Sequence, residues 1–537
     1  MWPHNYTPLA DSLAVSSLVA ALPIFVLLIM IGGLRKPSWM AALSGLAAAL
    51  VVALGVYSMP AGLAFSAVGL GASFGLFPIG WIVYWAIVLY RLTVETGSFE
   101  IIKDSIGGLT EDRRLQAMLI AFALGAFIEG AAGFGTPVAV AAAMLTGLGF
   151  SPFYAAAICL LANTAPVAFG SIGIPVVTLA GITGLPINEL SAWVGRICAP
   201  VSVFIPAYLV LVMGGMRALR GVLPAAAICG VAFAGTQFYV SNYIGPQLTD
   251  ILAALAAIVG MVVLLKVWKP KDTFQLSEES SVQLKPIAHG AGRTLLAWSP
   301  YLFLVFFVLL WGQKPVQDIL NKATTAFPWP GLHNLVQRMP PVVANPTPYA
   351  ATFNFNFLSA AGSACMFATL ASMLVLRVSL AKYIGILGAV AKQLFLSMVT
   401  LASVLGLAFL MNYCGATSTL GLAFAATGVL FPFFSAMLGW LGVFLTGSDT
   451  SANALFGNLQ VVTATKLGLD PVLMAAANSA GGVMGKMISL TSIAVAAAAT
   501  SMKSEDEARL FRFTMKHSIF LASVLGVITF TYATLQK

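Results

Sequence analysis

The sequence predicts an all-α polytopic membrane protein of about 12–14 membrane elements, each full span taking roughly 20 apolar residues. Three observations predict that class. Of the 537 residues, 59% are hydrophobic and only 8% are charged, against about 25% charged in a soluble domain. Long apolar runs recur along the chain. Between them lie apolar segments rich in Gly, Pro, Ser, Thr and Asn, which make poor straight helices. With 27 basic and 18 acidic residues the chain cannot coat a soluble surface. A soluble enzyme, a disulfide scaffold and a nucleic-acid binder are thereby excluded, and the lipid bilayer is the expected surroundings. The net charge of +9 fits basic cytoplasmic loops.

The uninterrupted runs are Ser12–Gly33, Met40–Tyr57, Ser66–Tyr90, Ala192–Met213, Val222–Val240, Ile251–Val267, Leu295–Trp311, Phe353–Leu376, Leu394–Tyr413 and His517–Thr534. The first has no basic leader and is too long for a signal-peptide core, so it is expected to be a retained helix. The interrupted segments are Leu115–Gly149, Pro152–Gly181, Leu420–Lys466 and Pro471–Thr500. Lys and Arg orient the chain. Arg91, Lys103, Arg113 and Arg114 crowd one loop; Lys266, Lys269, Lys271, Lys285 and Arg293 another; Lys503, Arg509, Arg512 and Lys516 a third. These loops are expected to be cytoplasmic. The N-terminus and the Ile182–Ser191 loop, which lack Lys and Arg, are expected outside, as is the C-terminus. The number of crossings between Arg377 and Gly447 stays open.

The five cysteines lie in or beside apolar runs and read as packing residues. The four histidines form no cluster with them, so neither a metal nor another cofactor is expected.

Two parts of the chain resemble each other. Phe-Ile-Glu-Gly at 127–130, Leu-Gly-Phe-Ser-Pro at 148–152 and Ala-Asn-Thr-Ala at 162–165 match Phe-Leu-Thr-Gly at 444–447, Leu-Gly-Leu-Asp-Pro at 467–471 and Ala-Asn-Ser-Ala at 477–480. The charge pattern runs the two units in opposite directions. Inverted repeats with broken helices in corresponding places point to a transporter's midplane site. The expected organisation is a first half (1–270) with a re-entrant hairpin at 115–149 and a broken helix at 152–181. A cytoplasmic linker (271–294) follows, then a second half (295–537) with a hairpin at 433–466 and a broken helix at 471–500. Gly130–Pro137 and Thr446–Asn453 are the expected hairpin tips. Asn163–Pro166 and Asn478–Gly482 are the expected unwound centres. Helix N-termini at such breaks offer free N–H groups and partial positive charge to an anion.

Of the 18 acidic residues, 16 fall in loops or near segment ends. Glu129 and Asp449 instead fall at the two tips. A charge at mid-bilayer costs about 3 kcal/mol, and desolvation favours the protonated form of a carboxyl. Both therefore suit coupling to a proton. Lys486 and Arg196 are basic residues in similar surroundings, suited to a carboxylate substrate. Candidate polar ligands are Thr446, Ser448, Thr450, Ser451, Asn163, Thr164, Asn478, Ser479 and Ser489, together with backbone N–H groups at Gly130 and Gly133.

At these residues the sequence resembles the bacterial L-lactate permease family. The resemblance rests on Phe-Ile-Glu-Gly-Ala-Ala-Gly-Phe-Gly-Thr-Pro at 127–137, Asn-Thr-Ala-Pro-Val-Ala-Phe-Gly at 163–170, Trp-Leu-Gly-Val-Phe-Leu-Thr-Gly-Ser-Asp-Thr-Ser at 440–451 and Gly-Lys-Met-Ile-Ser at 485–489. It extends over effectively the whole chain. It implies a bacterial inner-membrane symporter that moves lactate or glycolate with protons, on a fold near the ion transporter superfamily. Thr136 and Thr491 depart from the Ala and Pro expected there. Sodium coupling is the nearest rival, since the Asn-Thr and Asn-Ser pairs could supply oxygens for Na⁺. A channel and an intramembrane enzyme are more distant ones. The choice among L-lactate, D-lactate and glycolate is not legible, because one methyl group is worth only about 1–3 kcal/mol. Assembly into a homo-oligomer also stays open.

Overall fold

The computed structural model describes residues 1–133, 135–272, 274, 287 and 289–536, with backbone alone at 504 and 505. Lys285 and most of the expected 271–294 linker lie outside the described residues. The first half opens with α1 (Leu13–Gly33), α2 (Ser38–Gly55) and α3 (Ala61–Glu95). α3 bends at Phe77-Pro78, where proline removes a helical hydrogen bond. α4 (Ser98–Gly107) buries Phe99, Ile102 and Ile106, a three-to-four-residue spacing that makes one face apolar. α5 (Arg113–Ala131) is buried along its length. α6 (Thr136–Gly147), α7 (Pro152–Ala162) and α8 (Gly170–Thr183) follow. α9 (Ile187–Tyr243) is two stretches joined at Gly214-Gly215, matching the two expected runs on either side. α10 (Thr249–Val267) completes this half.

The second half comprises α11 (Ala291–Gly312), α12 (Lys314–Leu320), α13 (Ala361–Val375), α14 (Leu380–Cys414), α15 (Ala416–Phe424), α16 (Phe431–Thr446), α17 (Asp449–Leu467), α18 (Pro471–Lys486), α19 (Leu490–Ala499) and α20 (Ser504–Leu535). Among the described residues eleven helices are long and apolar enough to cross a membrane, twelve if the bent α7–α8 pair counts as one span. The chain is an all-α multi-pass membrane protein. Two apolar stretches of spanning length lie between Arg377 and Gly447: α14, and Ala416–Thr446, which is kinked at Gly428.

Two expectations are corrected. The run Phe353–Leu376 is not one helix. Its start is strand in a small β layer, with Thr325–Pro328 antiparallel to Thr352–Phe355. Val336–Arg338 pairs with Thr347–Pro348 and with N-terminal Trp2–Pro3. Phe353, Phe355 and Phe357 alternate with Asn, a period of two that suits a strand, and helix begins only at Ala361. Asn478–Gly482 is likewise not unwound. It is continuous helix within α18, and the chain breaks later, at Met487–Ser489. The reason is close packing. A Cβ on Gly439, Gly481 or Gly485 would run into the backbone of the facing helix in the α16–α18 pair. Small residues bring helices together in this way without unwinding them.

The N-terminal segment is fastened to the β layer and to α14. His4 is 5% exposed, and its Nε2 lies 2.8 Å from the Tyr413 carbonyl. Burial pushes His4 down to about 4 from 6.5. A base depressed by folding stabilises above its unfolded pKa and loses that contribution as pH falls toward the folded one. The fastening should therefore hold above pH 6.5 and loosen between pH 6.5 and 4, with up to about 3 kcal/mol at stake. Hydrogen exchange of residues 1–12 across that range should show rising exchange, and a His4→Gln variant should remove the pH dependence.

Candidate functional site

Each break in the chain is set by local sequence. α5 ends after Glu129, and Gly133 (φ +57°) and Gly135 (φ +83°) turn the chain into α6, in a left-handed conformation open to glycine. α7 ends at Asn163, and the chain passes through a tight turn before α8. In the second half Gly447 (φ +73°) ends α16. Ser448 then caps α17 by accepting from the Ser451 N–H at 3.2 Å. α18 ends at Lys486, and Ser489 caps α19 by accepting from the Ser492 N–H at 3.2 Å.

These four breaks surround one cavity of about 300 Å³. Its wall includes Gly135 at the start of α6, Ile174 and Pro175 where regular helix begins in α8 after the left-handed turn Ser171–Gly173, Ser448 to Ser451 at the start of α17, and Thr491 and Ser492 at the start of α19. Four helix N-termini therefore converge on it. Glu129, Asp449 and Lys486 also line it. Ser397, Thr400, Ile79 and Val83 complete the lining.

The three charges are held differently. Asp449 is 4% exposed. Its Oδ2 accepts from Ser479 Oγ at 2.7 Å, while Oδ1 has no partner. Lys486 Nζ donates to the Gly447 carbonyl. It acts electrostatically on both Glu129 and Asp449 without pairing directly with either. Glu129 is 5% exposed, and its Oε2 has no hydrogen-bond partner. Glycines make room for these groups. A Cβ on Gly170 would fall 2.6 Å from Glu129 Oε1, and one on Gly482 would run into Asp449 Oδ1. The tip glycines face hydroxyls in the same way: Gly133 abuts Ser171 and Gly447 abuts Thr491. Ser171 Oγ also donates to the Ala132 carbonyl at 3.0 Å.

Of the residues expected from sequence, Glu129, Asp449, Lys486, Thr446, Ser448, Thr450 and Ser451 lie on the cavity wall. The others are elsewhere. Arg196 stacks on Trp193, 4.8 Å from its ring centre, and donates to Asn242 Oδ1 at 2.8 Å. Asn478 and Ser479 belong to a buried polar chain. Ser479 holds Asp449, Asn453 donates to Ser479 at 3.1 Å, Asn478 donates to Asn453 at 2.9 Å, and Gln460 donates to Asn478 at 3.0 Å. Ser489 is occupied as a helix cap. Thr164 donates to the Leu161 carbonyl at 2.7 Å. Gly130 packs against Asp250 and Ile251 of α10, and Gly133 against Ser171. Asn163 is buried off the wall beside Glu129, and its side chain acts on that carboxyl as a hydrogen-bond donor.

Sequence reasoning missed Ser171, Ser397, Thr400, Thr491 and Ser492 on the wall. Ser397 and Thr400 carry no local signal, since they stand within an ordinary apolar helix. Ser171 directly follows the Asn163–Gly170 motif, and its adjacency is the only cue. Asp250 was also missed. It is 1% exposed, yet its place at the edge of an apolar run reads as a segment end.

A cavity lined by helix N-termini, inside a multi-pass membrane protein, suits a permease. The family described as L-lactate permease matches residues 16–536, and this chain belongs to it. It is 45% identical over 556 residues to an L-lactate permease of Bacillus subtilis (strain 168), with 98% of each chain covered. It is 44% identical over 550 residues to the glycolate permease GlcA of Escherichia coli (strain K12), covering 99% of this chain and 98% of that one. It is 43% identical over 539 residues to the L-lactate permease of the same strain, covering 98% of each.

The glycine notches are testable. Gly170→Ala and Gly482→Ala should each displace a carboxyl, with an overpacking cost of about 1–3 kcal/mol. Substrate uptake should fall steeply in both at unchanged membrane abundance. Gly62→Ala, which meets only open space, should transport as the wild type does.

Proposed function

We propose that this chain imports L-lactate and related 2-hydroxymonocarboxylates, D-lactate and glycolate, with protons across the bacterial inner membrane. The observation that carries this reading is the convergence of four helix N-termini and Lys486 on one cavity. Oriented N–H groups and an ammonium favour a small anion, and the low-dielectric surroundings strengthen that attraction. The substrate carboxylate meets Lys486 and the N–H groups at the starts of α17 and α19. Its 2-hydroxyl meets Ser448, Thr450 or Ser451. Glu129 or Asp449 takes up the coupled proton, so that one monoanion and one proton cross without net charge.

Membership of the permease family and the relatives' names support the substrate class. The two halves act as inverted repeats in this reading. The pairing of Gly133 with Ser171 and of Gly447 with Thr491 supports their equivalence, and alternating access proceeds by movement of one unit against the rest.

Uptake of labelled L-lactate into proteoliposomes tests the proposal. An inward pH gradient should drive accumulation with no Na⁺ present. A Na⁺ requirement together with indifference to pH would refute it. Lys486→Met should weaken lactate binding by about 100-fold, the scale of losing a charge partner in a desolvated site. Glu129→Gln should lose accumulation along the pH gradient.

A further inference from the structure

A second cavity, of about 640 Å³, lies between α3, α8, α14 and the β layer. It is lined by Thr183 and Gly184 at the end of α8 and by Tyr413, whose carbonyl faces His4. This is the side of the N-terminus and the Ile182–Ser191 loop, which the charge pattern assigns to the exterior. The same three helices line the central cavity deeper in. On α3, Pro78 lines the second cavity and its neighbour Ile79 the central one. On α8 the lining passes from Pro175 to Ala180, and on α14 from Leu401 to Phe409, about 12 Å of helix.

Among the described residues this lining contains no Asp, Glu, Lys, Arg or His. The amides of Asn321, Asn354, Asn356 and Asn412 share it with the rings of Phe74 and Phe409. Asn412 Oδ1 accepts from Asn458 Nδ2 at 3.1 Å, so its own N–H groups are what it offers a ligand. Amide donors beside apolar rings suit a small monocarboxylate, and no acid is there to repel it. Without an ammonium the hold is weak, and a stop on a pathway must release what it binds. On the outer side of the central cavity α3 and α8 meet where the Phe74 ring lies over Gly181: a Cβ on Gly181 would run into the ring. The Phe409 ring, its centre 5.8 Å away, packs against Phe74. α3 is fitted closely to α14, since a Cβ on Gly71 would run into the Leu405 backbone. α8 packs instead on α17, the helix that begins at Asp449.

We propose that the second cavity is an outer vestibule whose amides hold the substrate monocarboxylate on its way to the central site, and that the Phe74 ring in the Gly181 notch is the contact that parts to admit it. This rests on the import of a hydroxymonocarboxylate and not on the ion that drives it. With the ring seated, α3 and α8 are shut outward of Ile79 and Pro175. When α8 moves with α17 away from α3, the ring leaves the notch and the two cavities join. Any side chain at 181 would hold the ring off and bias the contact toward its open form.

Labelling with a membrane-impermeant anionic thiosulfonate, applied to the N-terminal face of oriented proteoliposomes, tests this. The five native cysteines are buried. Asn354→Cys, in the vestibule, should react readily, and saturating L-lactate should slow it. Val83→Cys, on the central wall, should react slowly. Adding Gly181→Ala to Val83→Cys should speed its labelling about 10-fold, because overpacking shifts a two-state contact toward its open form. Adding Phe74→Ala, which removes the ring and brings no bulk, should do the same. Lactate counterflow should fall by a similar factor in Gly181→Ala and recover in part when Phe74→Leu is added. Unchanged labelling of Val83→Cys in both backgrounds would overturn the inference, even if counterflow is lost. So would labelling of Asn354→Cys from the opposite face alone, or its indifference to lactate while counterflow is intact. Absence of lactate counterflow in the wild type would instead bring down the underlying reading, and the labelling of Val83→Cys would still report on the contact.

Discussion

Hydrocarbon supplies no hydrogen bonds, so a helix that breaks inside a membrane leaves N–H and C=O groups that only protein or an interior cavity can meet. The rest of this structure depends on that constraint. The chain breaks at Ala132–Gly135, Asn163–Phe169, Gly447–Ser448 and Met487–Ser489, and all four breaks border the same cavity. Concentrating them gathers the unpaired backbone groups around one space. The N–H groups left over at the starts of α6, α8, α17 and α19 need acceptors, and a carboxylate is one.

Holding the breaks together requires close packing elsewhere. Gly439, Gly481 and Gly485 let α16 and α18 touch along their backbones, which fixes Lys486 beside Gly447. The buried chain from Gln460 through Asn478 and Asn453 to Ser479 ends on Asp449. Buried polar networks of this kind rigidify what they end on. The two acids of the cavity are therefore unlike. Each keeps one oxygen without a partner, Asp449 Oδ1 and Glu129 Oε2, but the other oxygen of Asp449 is held by Ser479.

The membrane class was legible because composition reports directly on solvent. Glu129, Asp449 and Lys486 were legible for a related reason: charge is scarce here, and each charge within an apolar segment stands out. Other features were masked by ambiguity. Asn478 and Ser479 look like ligands in a Gly-rich stretch, but glycine serves close packing as readily as unwinding. Arg196 lies within an apolar run, yet it stacks on Trp193 at 4.8 Å, away from the cavity. Phe353–Phe357 has the hydropathy of a span and the alternation of a strand, and pairing with Thr325–Pro328 decided between them.

The sequence by itself determined that the chain lives in a membrane, where three of its four helix breaks fall and which few charges are out of place. These properties are local, set by hydropathy, glycine and proline over a few residues. Only the tertiary structure decided that the four interruptions share one cavity, that Ser397 and Thr400 of α14 wall it, and that Asp250 packs against Gly130. Residues more than a hundred positions apart meet there, and which face a helix turns toward which neighbour is settled by packing, which no stretch of sequence carries alone.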